Sequence, residues 1–220
     1  MFGISNNIKS RVVRVCTPEL FNKAVDSPLV ARVCAEIEDA LESVRRGEMS
    51  RADFDTLKAD RKKMLPVITP HATFKNGRRL NTDAVPSGLS MYDIDHINDP
   101  EGYFARNVEN RVKDLNIVLA HKTPSTEGLR LVFAVPRGMD LSGAQRWMSE
   151  QLGDANYDGA VKDLARCSFF VPRDYIFYLD EKRLFAEQMG YWGINNVEAG
   201  LCSAQNEPNG SNTRNAENAG

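Results

Sequence analysis

Stretch 90–96 reads Ser-Met-Tyr-Asp-Ile-Asp-His, and it limits what the chain can fold into. Its alternation, among apolar Leu89, Met91 and Ile94, predicts a buried strand over about 88–95. Residues i and i+2 of a strand point to one face, so Asp93 and Asp95 share a face with Cα atoms roughly 7 Å apart. Two like charges that close in a buried strand are unfavourable unless a cation or several hydrogen bonds compensate. The stretch is therefore expected to be half of a metal site, with the other half supplied from later in the chain. The competing reading is a pair of strand-end aspartates that cap a turn or meet nearby Arg and Lys. His96 alternates to the opposite face and reads as structural.

Around this strand the chain alternates helices and strands. Residues 1–20 read as a strand centred on Val12, Val13 and Val15 and stopped by Pro18. Val30, Val33, Cys34, Ile37, Leu41 and Val44 form one stripe of a helix over 29–45, ended by Gly47. A second helix covers 50–63, with Ser50 as N-cap and Asp53 three residues on. Two prolines make 62–71 an extended connector. Asp99 and Pro100 open a helix whose apolar face carries Phe104, Val108, Val112 and Leu115. Strands at 116–120 and 129–135 form a hairpin, and a helix over 141–152 turns Ala144, Trp147, Met148 and Leu152 inward. Strands near 167–171 and 175–179 and a short helix at 181–189 follow. The pattern predicts an α+β domain with a mostly antiparallel sheet and the acidic strand central in it.

The 220 residues suffice for one large domain or two small lobes. A net charge of −2 excludes a uniformly basic nucleic-acid coat but not a local basic groove. None of the four cysteines (16, 34, 167 and 202) sits in a C-x-x-C pair, which argues against zinc. No signal peptide and no membrane-length apolar run is present, so a cytoplasmic location with reduced thiols is expected. Residues 196–220 are rich in Asn, Ala, Gly and Ser and are expected to be a disordered polar tail.

Three further constellations bear on chemistry. The basic turn 74–79 is either a solvated loop or a phosphate contact. In loop 121–130, Pro124, Ser125 and Gly128 fix a tight turn, and Gly128 permits close backbone approach. Arg130 interrupts an apolar strand, with Leu129, Leu131, Phe133 and Val135 on the other face. Ser125, the turn amides and Arg130 suit a triphosphate, while the plain alternative is an ordinary hairpin. Stretch 157–166 adds Asp158, the better third metal ligand, and Asp163, expected to pair with Arg166 and orient it.

The order Asp-x-Asp, Ser/Gly-rich loop entering a strand, then Asp and Asp-x-x-Arg resembles the archaeo-eukaryotic primase superfamily. Residues 63–66, 87–95, 124–130 and 158–166 look more closely like the VirE-type N-terminal domains of bacterial mobile elements, with resemblance over about 60–185. It implies a two-lobed primase-polymerase-like fold over 1–195, with a helical part at about 20–65 and an RRM-like sheet. It implies two divalent cations, Mg²⁺ or Mn²⁺, on Asp93, Asp95 and Asp158 as catalytic residues and metal ligands. Ser125, Gly128, Arg130, Lys122 and Arg166 are the expected nucleotide-binding residues. The implied activity is nucleotidyl transfer from nucleoside triphosphates, templated by single-stranded DNA, in replication of a mobile element, with a helicase or ATPase as a further partner. One departure stands out: superfamily members carry Ser-x-His where this chain has Arg130. Arginine contacts phosphate bidentately but does not change protonation near neutral pH. The alternatives are a catalytically impaired DNA-binding or replication-initiation module and a metal-dependent nuclease.

Overall fold

The computed structural model describes residues 1–154 and 163–186. Over these the fold is α+β, with six helices and antiparallel pairing in every strand pair. The central layer is a four-stranded sheet in the order β10-β7-β8-β6, comprising β6 (Leu89–Asp95), β7 (Ile117–Lys122), β8 (Gly128–Ala134) and β10 (Ile176–Leu179).

Both faces of this sheet are covered, which explains why β7 and β8 read as nearly continuous apolar runs. On one face Tyr92, Ile94, Leu129, Leu131 and Phe133 pack with Phe104 of α4 (Pro100–Asn107) and with Ala144 and Met148 of α5 (Leu141–Leu152). Asp99 and Asp140 cap these two helices through their carboxylates, and Gly153 ends α5 in the left-handed conformation at φ 64°. On the other face Leu89, Met91, Val118, Leu119 and Val132 meet α1 (Pro18–Val25) and α2 (Pro28–Arg45). The stripe expected for α2 is the buried one: Val30, Val33, Cys34 and Ile37 are fully enclosed. The next helix, α3 (Arg51–Lys62), is capped as its sequence indicates, with Ser50 Oγ accepting from Asp53 N at 3.1 Å.

A second sheet joins β1 (Gly3–Ser5), β2 (Arg14–Val15), β3 (Val67–Thr69) and β9 (Ser168–Phe169) in the order β2-β1-β3-β9, beside a hairpin of β4 (Ala72–Phe74) and β5 (Ala84–Pro86). The last described helix is α6 (Glu181–Phe185). Among the described residues no helix is long and apolar enough to cross a membrane. Cys16, Cys34 and Cys167 are free thiols.

Two expectations need correction. Residues 1–20 are not one strand: Asn7 Oδ1 accepts from the amides of Lys9 and Ser10, an Asx turn that folds the segment back as β1 and β2. The extended connector at 62–71 carries β3 between its two prolines. The acidic strand β6 is not central. The β10 strand adds beside β7 and leaves β6 on the opposite edge, paired only with β8. In chain order the elements run β6-α4-β7-β8-α5, and β9 of the second sheet precedes β10. The expectations for residues 187–220, the polar tail included, lie outside the described residues.

Candidate functional site

An edge strand leaves main-chain donors and acceptors open, and they must find partners. At Met91 of β6 two side chains supply them. Met91 N donates to His71 Nε2 at 3.1 Å, and Gln145 Nε2 donates to Met91 O at 2.5 Å and to Ser90 Oγ at 2.6 Å. The other ring nitrogen of His71, Nδ1, lies 3.0 Å from the carbonyl oxygen of Asp163. A carbonyl only accepts and an amide N–H only donates, so the ring is the neutral Nδ1–H tautomer. Burial, reinforced by the nearby Arg166 charge, pushes its pKa down to about 4. His71 therefore clamps the strand edge to the segment that carries Arg166.

The β6–β8 register sets Asp93 opposite Arg130 and Asp95 opposite Gly128; the β7–β8 register sets Arg130 opposite His121. Partners across a ladder share a face, so Asp93, Arg130 and His121 form one polar row on the α2 side of the sheet. Arg130 Nε donates to Asp93 Oδ1, and both side chains are nearly enclosed, at 14% and 13% exposure. Arg166 Nη2 stands 3.8 Å from the other carboxylate oxygen, Oδ2. Burial pushes the Asp93 carboxyl up. The charge and hydrogen bond of Arg130, with Arg166 behind it, outweigh this and hold it below the usual carboxylate value. Asp93 is thus an ionised, buried carboxylate clasped by two guanidiniums.

The surroundings are basic. Lys62, at the end of α3, lies within electrostatic reach of Asp93, Asp95 and Arg130; burial, with the charges of Lys58 and Arg130, lowers its pKa. His121 is buried with Nδ1 2.8 Å from Lys122 O, and burial drives its pKa down to about 4. Asp95 sits at the strand end and is exposed.

The loop feeding β8 is built as its sequence suggests. Thr126 N donates to Thr123 O at 2.9 Å, Thr123 N donates to Gly128 O at 2.8 Å, and Thr123 and Ser125 share a hydroxyl hydrogen bond at 3.1 Å. A Cβ on Gly128 would stand 3.1 Å from Ile94 O and 3.2 Å from Asp95 Oδ1. Space, not backbone sign, demands glycine there. Arg51 grips Glu127 with two hydrogen bonds of 2.6 and 2.9 Å, tying the loop tip to α3.

The structure thus brings together Asp93, Arg130 and Arg166, with Asp95 and Gly128 at the end of the same ladder. Asp158 lies outside the described residues. Lys122 is engaged elsewhere: its Nζ is 3.3 Å from Glu38 Oε1 and 3.7 Å from the centre of the Tyr175 ring. Asp163 does not orient Arg166 by an ion pair. Its carboxylate accepts from Ala165 N at 2.8 Å, and the Arg166 guanidinium turns to Asp93. In the basic turn, Arg79 is a strut holding Cys167 Sγ and Ile8 O. His96 is exposed at φ 61°, past the strand end.

His71, His121 and Lys62 were not singled out from the sequence. A hairpin turning at 123–127 already pairs His121 with Arg130, so that residue was recoverable. Nothing local marks His71 or Lys62.

The charge of Asp93 is compensated by two arginines, as the competing reading of the aspartate pair has it. Among the described residues no group of three or more His, Cys, Asp or Glu is placed to hold a metal ion. The described donor set is two hard carboxylates, suited in kind to Mg²⁺ or Mn²⁺, one of them already paired.

Residues 60–157 are similar to the family described as BT4734-like, N-terminal domain. That stretch runs from the end of α3 through β3 to α5 and contains Asp93, Asp95 and Arg130. Neither the curated proteins nor the solved structures hold a match to the chain.

Proposed function

We propose that the chain is a metal-dependent nucleotidyltransferase of primase-polymerase type acting on single-stranded DNA, as its resemblance to VirE-type domains suggests. One observation carries the reading: two carboxylates share the end of one strand face, and two guanidiniums converge on one of them. Such a site offers cationic groups to a triphosphate and carboxylates to a divalent cation at the same place. Asp93 and Asp95 would hold Mg²⁺ or Mn²⁺, with Asp158 as the further ligand. When bound, the cations supply a lowered pKa for an attacking 3′-hydroxyl and stabilise the pyrophosphate leaving group. Arg130 and Arg166 then bind and orient phosphate oxygens, for which a guanidinium fork is suited. Both neighbouring histidines are held neutral, and His71 has both ring nitrogens committed to main chain, so it positions strand and arginine rather than moving a proton.

The test is incorporation of labelled nucleotide with Mn²⁺ or Mg²⁺ on primed and unprimed single-stranded templates. Wild type incorporates; Asp93→Ala and Asp95→Ala do not. Failure of wild type on every template removes the enzymatic reading. The pairing of Asp93 with arginine specifically favours a second reading, a DNA-binding or replication-initiation module with an impaired site. It predicts salt-sensitive binding to single strands that Asp93→Ala leaves unchanged.

A further inference from the structure

We infer that Arg130 and Arg166 mask Asp93 and leave it for a polyphosphate, so that cation and phosphate binding at this site are coupled. The inference rests on the functional reading above but is tested by binding alone.

The argument begins with what Asp93 can do as it stands. One oxygen accepts from Arg130 Nε, and the other faces Arg166 Nη2 at 3.8 Å. A divalent cation approaching this carboxylate meets two fixed positive charges, with Lys62 nearby. At such separations, in a site mostly closed to water, the repulsion is a substantial penalty. The same holds in reverse for an anion. The two guanidiniums are its natural ligands, yet Arg130 is already hydrogen-bonded to a carboxylate and Arg166 is ion-paired with it at 3.8 Å. Each half of the site is therefore blocked by the other half.

A polyphosphate relieves both at once. It offers more acceptor oxygens and more charge than one carboxylate, so the guanidiniums gain by exchanging partners. Asp93, left buried without a counter-ion, then favours a cation strongly. Linkage makes the effect reciprocal: whatever the anion does for the cation, the cation does for the anion. Arg166 is suited to move, being 37% exposed and borne on a short turn at 163–166. Arg130 sits on β8 and must change only its side-chain direction. A histidine, with shorter reach and a single charge only when protonated, would not mask a carboxylate this way at neutral pH. Arginine at position 130 thus gives the site a property of its own.

Two binding measurements in the absence of DNA test this, using Mn²⁺ alone and inorganic tripolyphosphate alone. Arg130→Met is expected to bind Mn²⁺ about tenfold more tightly than wild type, within the usual range of coupling between sites. Arg166→Met, altering the more exposed partner, is expected to shift affinity in the same direction and serves if Arg130→Met folds poorly. In EDTA, Asp93→Asn is expected to bind tripolyphosphate about tenfold more tightly than wild type. Asp93→Asn/Arg130→Met is expected to lose that gain. Unchanged or weaker Mn²⁺ binding in both arginine variants overturns the inference, as does unchanged tripolyphosphate binding in Asp93→Asn. Absence of nucleotide incorporation by wild type defeats the enzymatic reading and leaves these binding results standing.

Discussion

Arg130→Met removes the nearer of two counter-charges from a carboxylate that stays buried, and its cost follows from the geometry. Breaking a buried ion pair by deleting one partner costs about 3–5 kcal/mol. Both side chains are enclosed here, at 14% and 13% exposure, but Arg166 remains 3.8 Å from Asp93. The lower end, about 3 kcal/mol, is therefore expected, which lowers Tm by about 6–12 °C in a chain of this size. The dependence on pH carries the diagnosis. In wild type the folded pKa of Asp93 is depressed. Its stabilisation is then complete above the unfolded value of about 3.9 and is lost only as pH falls through the folded value. In Arg130→Met burial dominates, and the folded pKa moves above the unfolded one. The deficit relative to wild type is then largest at pH 7.5 and shrinks as pH falls toward 5. Loss of Arg130 also removes one of the charges depressing the His121 pKa, which acts in the same direction. Urea unfolding of both proteins at pH 7.5 and pH 5, together with Asp93→Asn and the double variant, measures each part. A deficit below about 1 kcal/mol, the ordinary value for an exposed pair, refutes the reasoning. So does a deficit that does not vary with pH.

Three other outcomes are expected. Gly128→Ala presses a methyl against Ile94 O and Asp95 Oδ1; thermal melts should show a loss of about 1–3 kcal/mol, and Asp95-dependent Mn²⁺ binding should weaken with it. His71→Leu strands the Met91 amide and the Asp163 carbonyl; it should cost about 2–3 kcal/mol by unfolding and speed amide exchange at Met91. For wild type, His71 and His121 are folded with pKa values near 4, below the unfolded value of about 6.5. Their contribution is full above about pH 6.5 and declines as pH falls toward 4, so urea midpoints should fall across that window, and less steeply in His71→Leu.

Much of the secondary structure was legible because its causes are local. Ser50, Asp99 and Asp140 cap their helices through side-chain oxygens a few residues from the amides they satisfy. The stripe of α2 and the hairpin of β7 and β8 follow from apolar spacing alone. The first 20 residues were misread because an Asx turn at Asn7 depends on one side chain, while Val12, Val13 and Val15 give a strong strand signal. Lys122 and Arg166 looked alike as basic residues near a loop, yet one went to Glu38 and Tyr175 and the other to Asp93. That choice belongs to segments distant in sequence, α2 with Glu38 for Lys122 and strand β6 with Asp93 for Arg166.

Sequence by itself determined that Asp93 and Asp95 share a face, because the side-chain period of a strand is two. It also determined that Gly128 permits a close backbone approach and that Arg130 is a lone charge among the apolar residues of its strand. Only the tertiary structure decided that β6 is an edge, that His71 seals it, and that Asp93 is answered by Arg130 and Arg166 rather than left with an uncompensated charge. The physical reason is range: pleat and capping act over a few residues, whereas a buried charge is compensated by whatever the packing of distant segments brings within a few ångströms.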